Sequence, residues 1–140
     1  MNINKTNPLL LHPLNPWMRK KKWTWFQHQI DAFNAIKQGS DIVVFAPTGA
    51  GKTLTGFINP IEDLINLKKY KGLHTIYISP LKSLANDIIR NLEKPIKDLN
   101  LNITFQVRTG DTTAYKKQKQ KQKPPNILIT TPESLALLNS

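Results

Sequence analysis

Four short apolar segments, rich in β-branched residues, alternate with helical patterns along most of the chain. The segments span residues 41–46, 74–79, 103–108 and 126–131. Short apolar runs of this type are typical of buried strands. Strands separated by helices favour a parallel sheet with helices on both faces and right-handed crossovers. The pattern therefore predicts an α/β fold.

Apolar residues recur at helical spacing between these segments. The first helix is predicted to follow a capping box at residues 24–27 and to end at Gly39. The next carries Pro60, which predicts a kink because proline removes one hydrogen bond. A third spans residues 82–92, and Pro95 is expected to end or kink it. Residues 1–22 are predicted to be an irregular basic lead-in, and residues 23–140 the folded region.

The net charge of +11 is concentrated in two short segments. Residues 1–22 hold five basic residues and no acid, and residues 112–125 hold five lysines and no acid. Such patches attract polyphosphate backbones without reading sequence, but a lysine-rich solvated surface has the same composition. The lysine-glutamine tract at residues 115–123 is therefore either a solvated helix or frayed loop, or an auxiliary phosphate contact.

Several classes of site are disfavoured by composition. The chain has no cysteine, which excludes disulfides, thiolate nucleophiles and cysteine metal sites. His12, His28 and His74 lack the spacing of metal ligands. No apolar run approaches the ~18 residues of a membrane-spanning helix, and the N-terminus does not resemble a secretion signal. No membrane association and a cytoplasmic location are expected.

Residues 46–53, Ala-Pro-Thr-Gly-Ala-Gly-Lys-Thr, lie between a predicted strand and a predicted helix, the context of a phosphate-binding loop (Walker A, or P-loop). Gly49 and Gly51 allow backbone amides to approach phosphate closely. Lys52 is predicted to contact the β and γ phosphates, and Thr53 to offer its hydroxyl to Mg²⁺. The first position is alanine where the strict pattern has glycine. Kinases and GTPases share this loop, so by itself it predicts only a nucleotide site.

Four further segments accompany the loop in a fixed order. Residues 26–29 (Phe-Gln-His-Gln) precede it, whereas residues 79–86, 108–112 and 130–135 each follow a predicted strand. They are similar to the Q motif and to motifs Ia, Ic and Ib of superfamily 2 helicases. From about residue 12 to residue 139 the chain resembles the DEAD/DEAH-box helicases, most closely the large helicase-related (Lhr) group. The resemblance implies a RecA-like P-loop domain that binds ATP, Mg²⁺ and nucleic acid.

The resemblance implies roles for individual residues on the nucleotide side. Gln29 would read adenine, which an amide can do with its paired donor and acceptor. An upstream aromatic residue would pack on the base, and Trp17 and Trp23 both remain candidates. The residues predicted to bind ATP are Gln29, Thr48, Gly49, Ala50, Gly51, Lys52 and Thr53.

The loops of motifs Ia, Ic and Ib are expected to open on one edge of the sheet and to hold the nucleic-acid backbone. A helix is predicted to begin there, with Thr131 as N-cap and Pro132 in its first turn. Glu133 belongs to motif Ib without an assigned role. The predicted backbone contacts are Pro80, Lys82, Thr109, Gly110, Thr131 and Pro132.

No complete catalytic site is predicted. In the family an Asp-Glu pair that ends a strand, motif II, contacts Mg²⁺ and orients water, but no Asp-Glu dipeptide occurs in these 140 residues. Glu62 and Asp63 are predicted to lie on a helix. The chain is therefore expected to be an N-terminal piece of the first motor domain, with little ATP hydrolysis alone and with the rest of the helicase as a partner if that is encoded separately.

Two other functions are weighed against the helicase reading. One is a non-catalytic module that binds nucleic acid or a partner through the two basic segments. The other is a small P-loop kinase, which would need an acceptor site and a lid that no segment supplies. DNA and RNA are not distinguished, because contacts to the backbone carry little sequence information.

Overall fold

The computed structural model of the protein describes residues 7–47 and 51–138. The chain forms two compact units, Met1–Asp63 and Leu64–Ser140. The expected boundary after residue 22 stays a prediction. Within the described residues, no helix combines the length and apolar character needed to cross a membrane.

The first unit is helical. It contains a 3-10 turn at Pro8–Leu11, α1 at Asn15–Lys20, α2 at Gln27–Lys37 and most of α3 at Lys52–Asn66. Its core is formed by Leu9, Phe33 and Ile58, against which Trp25, Ile30 and Leu54 pack. Residues 8–20 were expected to be irregular, but they fold because Leu9, Leu14 and Trp17 are buried. Burial of these side chains outweighs the turn-forming tendency of the prolines.

His12 joins this segment to α3. Its ring is buried, Nε2 lies 2.8 Å from the carbonyl oxygen of Ile58, and Nδ1 accepts a hydrogen bond of 3.0 Å from the amide of Leu14. These two partners require the neutral tautomer with its proton on Nε2. Burial lowers the pKa of His12 below its ordinary value, although the hydrogen bond to Ile58 opposes the shift.

The predicted capping box at residues 24–27 is wrong, because α2 begins three residues later than Thr24. Phe26 is the N-cap, and its side chain makes no capping bond. Instead Gln29 Oε1 accepts a hydrogen bond of 2.9 Å from the Phe26 amide. The third residue of the helix thus satisfies a donor that precedes the first turn. The predicted stop is confirmed, since Gly39 follows the helix with a φ of +87°.

The predicted strand at residues 41–46 does not form among the described residues. Residues 41–47 pair with no described strand, and the side chains of Val43 and Phe45 are 78% and 92% exposed. A β-strand forms only when its backbone hydrogen-bonds to a neighbouring strand, and β-branched side chains favour the extended backbone without providing that neighbour. Residues 41–46 therefore have the composition of a strand but no pairing partner among the described residues.

The second unit contains a three-stranded parallel sheet. The strands are β1 at Thr75–Ile78, β2 at Phe105–Arg108 and β3 at Ile127–Thr130, in the order β1-β3-β2. Helices α4 at Lys82–Asp98 and α5 at Ala114–Gln122 connect the strands, and α6 at Pro132–Leu138 follows β3. All four residues of β3 are buried. The predicted α/β class and parallel pairing are confirmed for these three strands.

Pro95 does not end α4. The helix continues to Asp98, and Pro95 and Ile96 are both buried on it. The buried positions follow helical spacing, namely Ala85, Ile88, Leu92, Pro95 and Ile96. Leu84 is exposed, and the smaller Ala85 beside it is buried.

Asn126 holds the entry to β3. Its Nδ2 donates to the carbonyl oxygens of Tyr70 at 2.9 Å and Gly72 at 3.1 Å, and its Oδ1 accepts from the amide of Thr104 at 2.9 Å. The backbone amide of Asn126 also donates to Thr104 Oγ1 at 2.9 Å. One buried side chain thus ties the segments that enter β1 and β2 to the central strand.

Replacing Asn126 with alanine should lower the free energy of unfolding by about 2–4 kcal/mol, because three side-chain hydrogen bonds are lost and buried polar groups remain unpaired. Urea denaturation followed by circular dichroism measures this change. Asn102→Ala is the matched control, since Asn102 is exposed, and it should change stability by less than about 0.5 kcal/mol. Equal losses of stability in the two variants would contradict the role of Asn126 in joining the segments that enter β1 and β2 to β3.

The His12 ring predicts a pH dependence of stability. The free energy of unfolding should be at its full value above about pH 6.5, the ordinary histidine pKa. It should fall as the pH drops towards the lowered folded pKa, because the unfolded chain takes up a proton that the buried ring excludes. Urea denaturation across this range should show the fall in the parent chain and in a His74→Gln control. The fall should be smaller in His12→Gln, and an undiminished fall in that variant would disprove the assignment.

Candidate nucleotide-binding loop and nucleic-acid interface

The carboxyl half of the predicted P-loop leads into α3. Lys52 and Thr53 are the first residues of the helix, and both are exposed. The first amides of a helix have no intrahelical partners and carry a partial positive charge, which favours a phosphate group. Thr48, Gly49 and Ala50 lie outside the described residues, so their predicted contacts with phosphate stay predictions.

Gly51 forms the junction between the loop and α3. Its carbonyl oxygen accepts hydrogen bonds from the Thr55 amide at 3.1 Å, from Thr55 Oγ1 at 2.8 Å and from Gln29 Nε2 at 3.2 Å. Its φ is +70°, and a β carbon there would lie 2.6 Å from Gln29 Nε2. A left-handed backbone with no room for a side chain requires glycine. The junction is thus held from α2 and from α3.

Gln29 was predicted to read adenine, but in the structure its amide bonds to the protein backbone. The side chain is 1% exposed, with Oε1 bound to the Phe26 amide and Nε2 bound to the Gly51 carbonyl. The structure therefore brings Gln29 to the P-loop and gives it a positioning role there. The adenine contact stays a prediction.

The two tryptophans left open by the sequence differ in exposure. Trp17 is buried and packs edge-to-face against Trp23, with ring centroids 5.4 Å apart, whereas Trp23 is 55% exposed. Trp23 alone of the two presents much of its ring for stacking. Phe26 is a third candidate that the sequence reading missed. It is half exposed, stacks on His28, and lies 3.6 Å from the position of a β carbon on Gly51. Its place in the Q motif was the available signal.

Three predicted contact loops lie on one edge of the sheet in the second unit. Ile78, Arg108 and Thr130 end the three parallel strands in register. The amide of Ser79 donates to the carbonyl of Thr130 at 2.8 Å, which continues the pairing into the loop. The predicted shared edge is therefore confirmed. It gathers the residues predicted to contact nucleic acid, namely Pro80, Lys82, Thr109, Gly110, Thr131 and Pro132.

The loop after β2 is a tight turn. The Thr109 amide donates to Thr112 Oγ1 at 2.9 Å, and the Thr112 amide donates to the Thr109 carbonyl at 3.1 Å. The amide of Asp111 donates to Thr109 Oγ1 at 3.2 Å. Thr109 is buried, and its hydroxyl serves the turn itself. Gly110 and Asp111 are left exposed on the turn.

An ion pair connects this turn to the start of α4. Lys82 Nζ lies 3.3 Å from Asp111 Oδ1, and both side chains are largely exposed. A β carbon on Gly110 would lie 3.3 Å from the same Nζ, so the glycine makes room for the ammonium group. No side chain caps the start of α4, where Leu81 is the N-cap. Lys82 and the first amides of α4 thus form a positive group suited to phosphate. Asp111 was not predicted as a member of this group.

Thr131 was predicted to contact the nucleic-acid backbone, but its side chain makes contacts within the protein. Its side chain is buried, and Oγ1 donates to Ser134 Oγ at 3.2 Å. The carbonyl of Thr131 accepts from the Leu135 amide at 2.9 Å at the start of α6. Only the backbone of Thr131 remains a candidate for the nucleic acid, whereas Pro132 and Glu133 are exposed.

Acidic side chains do not cluster in the described part of the chain. Among residues 7–47 and 51–138, no group of three histidine, cysteine, aspartate or glutamate residues could hold a metal ion. Glu62 lies on α3, and its carboxylate pairs with Lys37 Nζ at 2.7 Å. Thr53 is the one predicted Mg²⁺ contact, and it would act together with nucleotide phosphates.

Comparison with known proteins identifies the family. A model of the DEAD/DEAH box helicase family matches residues 26–139. The ATP-dependent helicase Lhr-Core protein 2 of Thermococcus barophilus is 42% identical over an alignment of 143 positions, and the match covers 92% of this chain and 17% of that protein. The Lhr helicase/uracil glycosylase of Escherichia coli is 37% identical over 128 residues, with 79% and 8% covered.

A solved structure shows the same architecture. Helicase Lhr of Mycobacterium smegmatis, bound to ssDNA and AMP-PNP, superposes with a TM-score of 0.85 and 36% identity over 94% of this chain and 18% of that one. The chain thus spans less than a fifth of the length of these relatives. The predicted RecA-like fold and the resemblance to the Lhr helicases are confirmed, and this chain belongs to the DEAD/DEAH box helicase family.

Proposed function

We propose that this chain is part of an ATP-dependent nucleic-acid helicase, in which it binds ATP through the P-loop and the start of α3. It binds the nucleic-acid backbone through the carboxyl edge of its sheet. The observation that carries the proposal is the register of β1, β3 and β2, which brings three loops to one edge. Ligands of open α/β sheets bind at that edge. The ssDNA and AMP-PNP in the related Lhr structure support both ligands.

The nucleotide site of this proposal centres on Lys52 and Gly51. Lys52 would hold the β and γ phosphates as a flexible point charge, next to the free amides of α3. The Gly51 carbonyl, fixed by Gln29 and Thr55, would set the angle at which the loop enters the helix. The buried amide of Gln29 could bind adenine by releasing one of its backbone partners, or by using its second N–H and the second lone pair of Oε1.

Magnesium belongs to the same site. A hydroxyl oxygen suits Mg²⁺, which keeps several waters and binds mainly through substrate phosphates. Thr53 is exposed in the first turn of α3 and would provide that oxygen. When bound, the ion would offset the charge of the phosphates. Because these 140 residues contain no Asp-Glu pair, we propose that they bind ATP with negligible hydrolysis. The cytoplasmic location stays a prediction.

The nucleic-acid site of this proposal uses the positive group at the start of α4. Lys82 would contact a phosphate while the turn at Thr109–Thr112 holds the backbone beside it. Asp111 shares the ammonium group of Lys82 and would compete with that phosphate. These contacts would fix the position of the strand without reading its bases, so they serve DNA and RNA alike.

Lys52→Ala should weaken ATP binding at least about 10-fold, a loss of roughly 1.4 kcal/mol, because it removes the charge nearest the β and γ phosphates. The fluorescence of a labelled ATP analogue in the presence of Mg²⁺ measures the dissociation constant. Lys94→Ala is the matched control, since Lys94 is an exposed lysine on a different helix. Unchanged affinity in the Lys52 variant, with normal circular dichroism, would refute the nucleotide site.

Lys82→Ala and Asp111→Asn should change nucleic-acid binding in opposite directions. Loss of the phosphate contact should weaken binding of fluorescein-labelled oligo(dT) and reduce the slope of log affinity against log salt by about 0.7, the value for one contact to a single strand. Removal of the competing carboxylate should strengthen binding by less than about 5-fold, because an exposed ion pair contributes at most about 1 kcal/mol. Fluorescence anisotropy over a salt series measures both effects.

Glu93→Gln is the control for the second substitution. Glu93 forms an ion pair of 2.7 Å with Lys97 on the same helix as Lys82. It lies eleven positions further along the chain, about 16 Å by helical rise. The Glu93→Gln substitution removes one negative charge, as Asp111→Asn does, but at a position away from the sheet edge. If Glu93→Gln strengthens binding as much as Asp111→Asn does, the gain reflects net charge, and the proposed competition for Lys82 is incorrect.

A further inference from the structure

Helix α5 is strongly basic. Lysines occupy positions 116, 117, 119, 121 and 123, and no acid occurs between residues 112 and 132. Lys116, Lys119, Lys121 and Lys123 are exposed. Like charges three and four positions apart repel one another on a helix. The sequence therefore works against this helix unless other contacts hold it in place.

The structure shows those contacts, so α5 is an ordered helix and not a frayed loop. Thr113 is its N-cap, with Oγ1 accepting from the amide of Lys116 at 3.2 Å. Gln120 is buried, and its Nε2 donates to the carbonyl of Val107 on β2 at 3.0 Å. A polar anchor in the middle of the helix attaches it to the sheet and leaves the lysines around it facing solvent.

The positive charge of α5 is not neutralised within the described part of the chain. None of its lysines forms an ion pair with a described carboxylate. Lys119 lies over the ring of Tyr115, with Nζ 4.7 Å from the centroid, and the tyrosine is 67% exposed. A cation held over an aromatic ring keeps its charge while its position is restricted. Among the described residues no carboxylate pairs with these lysines, so their charge is available to a bound polyanion.

The position of α5 indicates the class of polyanion that it would bind. The helix follows directly from the turn at residues 109–112, so it starts at the carboxyl edge of the sheet. Its nine residues rise about 13 Å away from that edge, roughly the length of four nucleotides of a stacked strand. The helix carries only Ala114 and Tyr115 as apolar residues, so it lacks the apolar face that a membrane-binding helix inserts.

We propose that α5 is a second phosphate-binding surface, which continues the nucleic-acid site from the sheet edge along Lys116, Lys119 and the C-cap Lys123, three exposed lysines that share one face at helical spacing. This inference rests on the proposed function, because the edge directs the strand towards the helix. The surface would add affinity without sequence preference, since lysines contact phosphates as point charges. It would lengthen the bound strand beyond the loops after β1, β2 and β3.

The test compares two triple variants with the same net charge. Lys116→Gln, Lys119→Gln and Lys123→Gln (the α5 triple) remove charge from one face of α5 and its C-cap. Lys68→Gln, Lys69→Gln and Lys71→Gln remove it from exposed positions that precede β1, at the opposite edge of the same sheet. Anisotropy of labelled oligo(dT) gives the slope of log affinity against log salt. The slope should fall by about 2 in the α5 variant, from three released contacts of about 0.7 each. It should stay near the parent value in the other.

Arginine at the same three α5 positions keeps the charge and should keep the slope. Helical circular dichroism verifies that each variant folds. Equal losses in the two glutamine triples would reduce the effect to net charge and overturn the proposal. It would also be overturned if polyglutamate, and not oligo(dT), required the α5 lysines, because the surface would then fit an acidic protein.

The Lys82→Ala variant separates this inference from the proposed function. If Lys82→Ala lowers the slope and the α5 triple does not, the sheet-edge site stands and the role of α5 is refuted. If the α5 triple lowers the slope and Lys82→Ala does not, the sheet-edge site fails. The basic segment would then bind nucleic acid independently of that edge, and the extension proposed here would be refuted in that form.

Discussion

The hydrogen bonds on both sides of β3 determine the arrangement of the second unit. β1 and β2 are distant in sequence and do not pair with each other, so each depends on β3 for a partner. Because both pairings are parallel and in register, the ends of the three strands fall on one line. Asn126 fixes where this pairing begins, since its buried side chain also binds the segments that enter β1 and β2. The shared edge, where we propose that nucleic acid binds, follows directly from this register.

Two features of the second unit are explained by contacts between residues that are distant in sequence. Lys82 and Asp111 are 29 positions apart, yet they form an ion pair because β1 and β2 deliver their loops to neighbouring places. Gly110 lies beside this pair, where a β carbon would come within 3.3 Å of Lys82 Nζ. Helix α5 holds four lysines, with a fifth at its C-cap, although they repel one another, because Gln120 anchors the helix to β2. A surface of exposed, unpaired charge supported by a buried anchor is better suited to binding a polyanion than to stabilising the fold.

In the first unit, a residue distant in sequence fixes the backbone at the end of the P-loop. Three hydrogen bonds converge on the Gly51 carbonyl, one of them from Gln29 on another helix. The left-handed backbone of Gly51 and the absence of a β carbon are both needed for this arrangement. Gln29 of the Q motif therefore holds the carboxyl end of the P-loop through the Gly51 carbonyl. Any change in the contacts of Gln29 would be transmitted to the residue that precedes Lys52.

The sequence alone determined the order of α2, α3 and α4 and of the three paired strands, the parallel sheet and the location of the motifs, because hydrophobic periodicity and glycine-rich turns are local signals. It could not decide pairing. Residues 41–46 have the composition of a strand, yet Val43 and Phe45 are exposed because a strand also needs a neighbour. Nor could it show that Gln29 bonds to Gly51, that Lys82 meets Asp111, or that residues 8–20 are folded. Such contacts join positions far apart in the chain, and only the tertiary structure brings them within reach.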